Sequence, residues 1–186
     1  MIVVIAVGYA LGPPSVAGWG IVAAAALILP VLVQRFWRRP EPSMSESIRD
    51  NLRIGLARES DFAARFDAIE PIFPVFKTRL KQYAGTLSGG EQKMLLVARA
   101  LMMRPSVILL DEITEGLQPS VIDRLAQALL WERKTHGTTM LVIEQNVAFA
   151  LQVADRFMVL KQGEIVEQGN ARDTTAAETV FAYLRV

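Results

Sequence analysis

The chain has 186 residues, enough for one domain of ordinary size or for one domain with an appendage. Its formal net charge of +1 at pH 7 gives no electrostatic pull toward nucleic acid, which is not expected among its partners. The absence of cysteine excludes a disulfide framework, a thiolate metal site and a cysteine nucleophile, and the single histidine, His136, has no second ligand near it in sequence and reads as a surface or helix-end residue.

Charge is unevenly spread: residues 1–34 contain no Lys, Arg, Asp or Glu. Within that hydrophobic segment, residues 16–33 (VAGWGIVAAAALILPVLV) would reach ~27 Å as a helix, just short of a hydrocarbon core of ~30 Å. Arg35, Arg38 and Arg39 follow at once, with Trp19 and Trp37 near the ends, so a membrane helix here would leave the rest of the chain in the cytoplasm. The alternatives are a buried strand-helix segment or a wrongly read N-terminus, and Pro13, Pro14 and Pro30 interrupt a single clean helix. No basic stretch precedes the apolar run, which disfavours a cleaved signal peptide.

Residues 35–42 (RFWRRPEP) read as a linker. Ser43 and Glu46 have capping-box spacing, and Met44, Ile48, Leu52 and Leu56 recur on one face, predicting a helix over about 44–57. A second helix is predicted over 61–69, and prolines 71 and 74 then break the path, so 43–84 is expected to be a helical subdomain. From residue 85 onward helix and strand alternate: a helix over about 90–103 with Met94, Leu95 and Leu101 inward, a continuous apolar strand over 107–110, and a helix from Pro119 with Val121, Ile122, Leu125 and Leu129 inward. A strand over 138–143, a short helix over 147–154, a strand over 157–160, a hairpin into 164–167 and a helix over 176–184 complete an α/β domain with a parallel sheet. Arg99 is expected as a surface or interface charge, and Met102 and Met103 as packing.

Two stretches carry chemistry. Val107 to Leu110 runs straight into Asp111 and Glu112, two carboxylates at the carboxyl end of a strand, where α/β sheets place ligands. Upstream, Leu87-Ser88-Gly89-Gly90-Glu91-Gln92 opens a helix with backbone N–H groups that no side chain obstructs, which suits an anion; a plain Ser88 helix cap is the other explanation.

The string LSGGEQ, followed by KMLLVARALMMRPSVILLDEITEGLQP, resembles the signature motif, Walker B strand and D-loop of an ABC transporter ATP-binding subunit, over about residue 44 to the C-terminus. TEGLQPS (114–120) and VIEQN (142–146) are similar to the subunits of branched-chain amino acid and urea or amide importers. The resemblance implies part of a P-loop NTPase (ABC ATPase) fold with ATP and Mg²⁺ as cofactors. It makes Asp111 the Mg²⁺-associated aspartate, Glu112 the catalytic glutamate and Gln145 the switch residue, where many relatives have histidine. Ser88, Gly89, Gly90, Glu91 and Gln92 become the signature, and Leu117, Gln118 and Pro119 the D-loop. It also implies a second ABC ATPase subunit, identical or not, transmembrane permease subunits, and a place at the cytoplasmic face of the membrane. Ile113 replaces the proline usual after the acidic pair.

One element of the family pattern is absent from these 186 residues: no G-x-x-x-x-G-K-[ST] occurs. Since two such domains sandwich ATP head to tail, the resemblance leaves this chain able to contribute a signature half-site to a partner with an intact P-loop. The alternatives are a non-catalytic membrane-associated module that binds a permease through its helical part, or an inactive gene remnant whose residues 1–34 are foreign.

Overall fold

A computed structural model describes residues 2–8, 43–162 and 164–184. The membrane candidate at 16–33 and the linker at 35–42 lie outside the described residues. Among the described residues no helix is long and apolar enough to cross a membrane. The chain divides into two compact units, one of Met1–Arg39, Val107–Glu115 and Arg133–Val186 and one of Pro40–Ser106 and Gly116–Glu132.

The helical unit begins with α1 (Ile48–Arg53), shorter than the predicted 44–57. Ser47 rather than Ser43 caps it, its Oγ accepting the Asp50 N–H at 3.1 Å. The Ser43–Glu46 box is displaced by Asn51, a fully buried amide that must find partners. Its Oδ1 accepts the Ser43 N–H at 2.8 Å and its Nδ2 donates to the Ser43 carbonyl at 3.0 Å, folding the preceding turn against the helix. The opening N–H groups of α1, on Ile48 and Arg49, donate to the carbonyls of Gln82 and Leu80. Ile48 and Leu52 are buried as the periodicity requires, whereas Met44 is 43 % exposed.

Helix α2 (Phe62–Ile69) lies where the sequence put it, with Phe62 stacked on Phe66. Both α1 and α2 pack on α3 (Gly89–Met102), whose inward stripe is Met94, Leu95, Ala98, Leu101 and Met102. Met103, expected to pack beside Met102, is instead 51 % exposed at the helix end. Arg99 is also not a surface charge: it is 8 % exposed, and burial draws its guanidinium below the ordinary value. It lies one turn from Leu95 and Met102, at the border of the buried stripe. Helix α4 (Pro119–His136) opens with proline at its first position, where the missing N–H costs nothing. Leu125 and Leu129 are buried, Val121 and Ile122 half-buried, and His136 is exposed in the last turn.

The sheet unit holds β1 (Ile2–Gly8), β2 (Val107–Asp111), β3 (Thr139–Glu144), β4 (Arg156–Lys161) and β5 (Glu164–Asn170), in the order β2-β3-β1-β4-β5. Strands β2 and β3 are parallel, Asp111 lying opposite Ile143, and β4 and β5 form the expected hairpin. The sheet as a whole is mixed, not parallel, because β1 runs antiparallel to both of its neighbours, β3 and β4. Helices α5 (Val147–Val153) and α6 (Ala176–Leu184) pack on β1 and on flanking strands. The apolar run of β2 is not buried throughout: Ile108 and Leu110 are buried, but Val107 is 55 % and Leu109 39 % exposed, the alternation of an outer strand with one face on the core.

Candidate functional site

The predicted site residues fall in both units. In the sheet unit, parallel pairing brings the carboxyl ends of β2 and β3 side by side, with Asp111 exposed at the last position of β2. The next residue, Glu112, has φ +47, a left-handed backbone that costs a non-glycine residue about 1–2 kcal/mol. Its N–H donates to the Ile143 carbonyl at 2.9 Å, which helps to hold that turn. The turn brings Glu112 to Gln145, whose Nε2 donates to Glu112 Oε1 at 2.8 Å, so two of the predicted residues, one from each strand end, meet in a direct contact.

Beneath them lies a contact that the sequence reading did not assign. Glu144, 2 % exposed at the end of β3, accepts the Thr114 N–H at 2.9 Å on Oε1 and the Thr114 Oγ1–H at 2.8 Å on Oε2. Its Oε2 also lies 3.4 Å from the Asn146 N–H, and Asn146 in turn caps α5 by accepting the Phe149 N–H. A carboxylate ending a run of apolar strand residues needs donors, and that was the available signal in VIEQN. A cleft of about 270 Å³ opens here, lined by Glu112, Thr114, Glu115, Glu144, Gln145 and Asn146. Its ionisable lining residues are all carboxylates, so it favours cations over anions.

In the helical unit, Ser88 and Glu91 close a complete capping box on α3. Ser88 Oγ accepts the Glu91 N–H at 3.3 Å, while the Ser88 N–H and Oγ–H donate to Glu91 Oε2 at 2.9 and 3.0 Å. Gln92 Nε2 donates to the Leu87 carbonyl at 3.0 Å, and Arg79 pairs with Glu91. The helical ladder leaves the Gly89 and Gly90 N–H groups for an outside acceptor. A side chain at Gly89 would meet nothing within 4 Å, whereas one at Gly90 would lie 3.3 Å from Val121 and 3.8 Å from Leu117, the predicted D-loop leucine. A side chain would therefore have open space at Gly89, whereas Val121 of α4 lies close beside the Gly90 Cα.

The hydrogen bond from the Ser88 N–H holds the Glu91 carboxyl below its ordinary value of 4.5, with help from Arg79 and the Ser88 hydroxyl, against the opposing effect of burial. A carboxyl titrating lower in the folded state stabilises fully above 4.5, and that contribution is lost as pH falls through the folded value. Urea unfolding followed across that acid range should therefore show a steeper loss of stability in the natural chain than in Glu91→Gln, which cannot titrate.

Residues 31–115 match the protein-family model described as ABC transporter. The chain is 39 % identical over 133 residues to the high-affinity branched-chain amino acid transport ATP-binding protein BraG of Pseudomonas aeruginosa, covering 70 % of this chain and 55 % of the relative. The chain belongs to the ABC transporter ATPase family. A probable branched-chain amino acid transport ATP-binding protein, LivF of Archaeoglobus fulgidus, is 34 % identical over 129 residues, covering 68 % of this ABC chain and 55 % of the relative. A nucleotide-free ATP-binding cassette of an ABC transporter shares the fold at a TM-score of 0.65 and 24 % identity, covering 78 % of this chain and 63 % of that one. This ABC chain thus spans about half the length of these curated relatives.

How far the acidic end fits the family's cofactors differs between metal and nucleotide. Mg²⁺ takes one or two carboxylates and completes its shell with water and phosphate oxygens, so the exposed Asp111 carboxylate suits it. Among the described residues no group of three or more His, Asp or Glu is arranged to hold a metal unaided. The nucleotide does not fit: no phosphate loop occurs in these residues to cradle its phosphates.

Proposed function

We propose that this chain is an ATP-binding-cassette subunit of an importer of the branched-chain amino acid or urea and amide type, contributing a signature half-site in trans to ATP held by a partner's P-loop. The observation that carries this is the opening turn of α3, where Ser88 and Gly89 are exposed, Gly90 is half-buried and the capping box is intact. In this role the Gly89 and Gly90 N–H groups donate to phosphate oxygens presented by the partner, aided by the positive end of the helix dipole. Ser88 turns its hydroxyl proton from Glu91 Oε2 to the phosphate and still caps Glu91 N–H through its lone pair. The partner's site supplies the phosphate loop and Mg²⁺, and coupling to solute uptake passes through permease subunits at the cytoplasmic face of the membrane. Asp111 and Glu112 keep the acidic pair of the family pattern, and Gln145, where many relatives have histidine, holds the Glu112 carboxylate by hydrogen bond.

Mixing supplies the test. The purified chain is combined with an ABC ATPase that has an intact P-loop and a disabled signature of its own, and phosphate release is followed. Turnover should appear only in the mixture. ATPase activity of this chain alone at family-typical rates, or no gain in the mixture, would count against the proposal.

A second role, as a non-catalytic permease-binding module, is favoured by the helical unit's exposed Met44, Ile54 and Tyr83 and by a groove of about 380 Å³ lined by Glu46, Asp50, Arg53, Ile54, Leu56 and Glu59. Co-purification with a permease that nucleotide does not alter, without any gain in turnover, would select it.

A further inference from the structure

We infer that β1 plugs the sheet in the reverse direction, so that the acidic end of this chain is closed as a nucleotide site and only its signature end can serve ATP. The inference deepens the half-site proposal and takes its functional meaning from it.

Because β1 is antiparallel to both β3 and β4, those two strands run the same way, as does β2 beside β3. The carboxyl ends of β2, β3 and β4 therefore share one edge, marked by Asp111, Glu144 and Lys161. Between β3 and β4 a parallel strand would also deliver its carboxyl end to that edge. There its following loop and helix start could cradle phosphate, since ligands in such sheets bind beyond the strand carboxyl ends. The strand that fills this position runs the other way. Val4 lies opposite Glu144 and Ile2 opposite Lys161, while Gly8 lies opposite Met140 and Val7 opposite Arg156. The amino end of β1 thus meets the acidic edge, and the chain leaves β1 at the far edge, six residues or roughly 20 Å along the strand.

Two observations agree: the position next to β3 is occupied by a reversed strand, and the 186 residues contain no phosphate-loop motif. With β1 paired on both sides and α5 and α6 packed on it, no strand from another polypeptide can enter that place without displacing it. A complex with a P-loop-bearing partner is consequently one-sided: this chain completes the partner's site, and the partner's signature faces an end that holds no nucleotide.

The chain's lack of cysteine allows a direct test of direction in the full-length protein. Val7→Cys with Arg156→Cys places two thiols on directly opposed residues, whereas Val7→Cys with Lys161→Cys places them five residues apart along β4, far beyond the ~7 Å Cα separation that a disulfide spans. On mild oxidation the first pair should close within one chain and the second should not. A bond in the second pair, or in neither pair, overturns the inference. The double variant Gly8→Cys with Met140→Cys repeats the test against β3 and covers the case in which Arg156→Cys fails to fold.

Equilibrium dialysis with labelled ATP and Mg²⁺ gives the functional arm. The chain alone should show no saturable binding up to about 1 mM, and micromolar binding abolished by Asp111→Asn would overturn the closure. Loss of the mixing result alone, with the cross-links and dialysis as expected, would sink the half-site proposal and leave the strand direction standing.

Discussion

Glu144→Ala lowers the free energy of unfolding by about 3 kcal/mol, among the largest losses expected from any single polar substitution in the sheet unit. The substitution strands two donors, the N–H and hydroxyl of Thr114, which is 6 % exposed. Thr114→Val removes only the hydroxyl donor and costs about 1.5–3 kcal/mol, because that bond is charge-assisted; Thr114→Ser keeps the donor and most of the stability. Urea titrations followed by circular dichroism give the ranking, and amide hydrogen exchange localises it. In Glu144→Ala the amides of residues 112–115 should exchange faster, since the left-handed turn at Glu112 loses the anchor two residues beyond it. A Glu144→Ala chain as stable as the natural one would show that the pair with Thr114 holds nothing in place.

Gly89→Asp separates folding from function. A side chain at Gly89 meets nothing within 4 Å, and a carboxylate in the first turn of α3 interacts favourably with the helix dipole. The isolated chain should keep its stability or gain a few tenths of a kcal/mol. In the mixture with a P-loop-bearing partner, that same carboxylate confronts phosphate oxygens, and turnover should fall about 10²–10³-fold, the usual consequence of spoiling one preorganised anion donor. Gly90→Ala is less clean, because its methyl would press on Val121 at 3.3 Å and disturb α4 as well. Unchanged turnover with Gly89→Asp would remove the opening turn of α3 from the site.

The sequence disclosed most of the elements because their signals were local. Ser88, readable as a helix cap, marked the start of α3, the apolar Met94, Leu95 and Leu101 marked its buried face, and Pro119 marked the start of α4. Asp111, Glu112 and Gln145 were legible as strand-end residues, and parallel pairing of β2 with β3 is what brings Glu112 and Gln145 into contact. What escaped depended on distant partners. Ser43 and Glu46 had the spacing of a capping box, but the buried amide of Asn51 claimed Ser43 and moved the cap to Ser47. Arg99 read as a surface or interface charge, because a single arginine says nothing about what covers it, and it is buried within the chain. The direction of β1 was beyond reach for a further reason: an uncharged run without alternation carries no preference for parallel or antiparallel pairing. Thr114 and Glu144 are thirty residues apart, and no periodicity links them.

The outer position of β2 has a consequence for handling the protein. Among the described residues its pairing partner is β3, and Val107 and Leu109 stand exposed along the strand. The outer edge of a strand, flanked by apolar side chains, is a template for another strand. Edge-on-edge addition between copies is the hazard expected at such a strand, to be checked by light scattering across concentrations. A charge at Val107, where the side chain already faces water, breaks the template without touching the carboxylates at the other end of the strand.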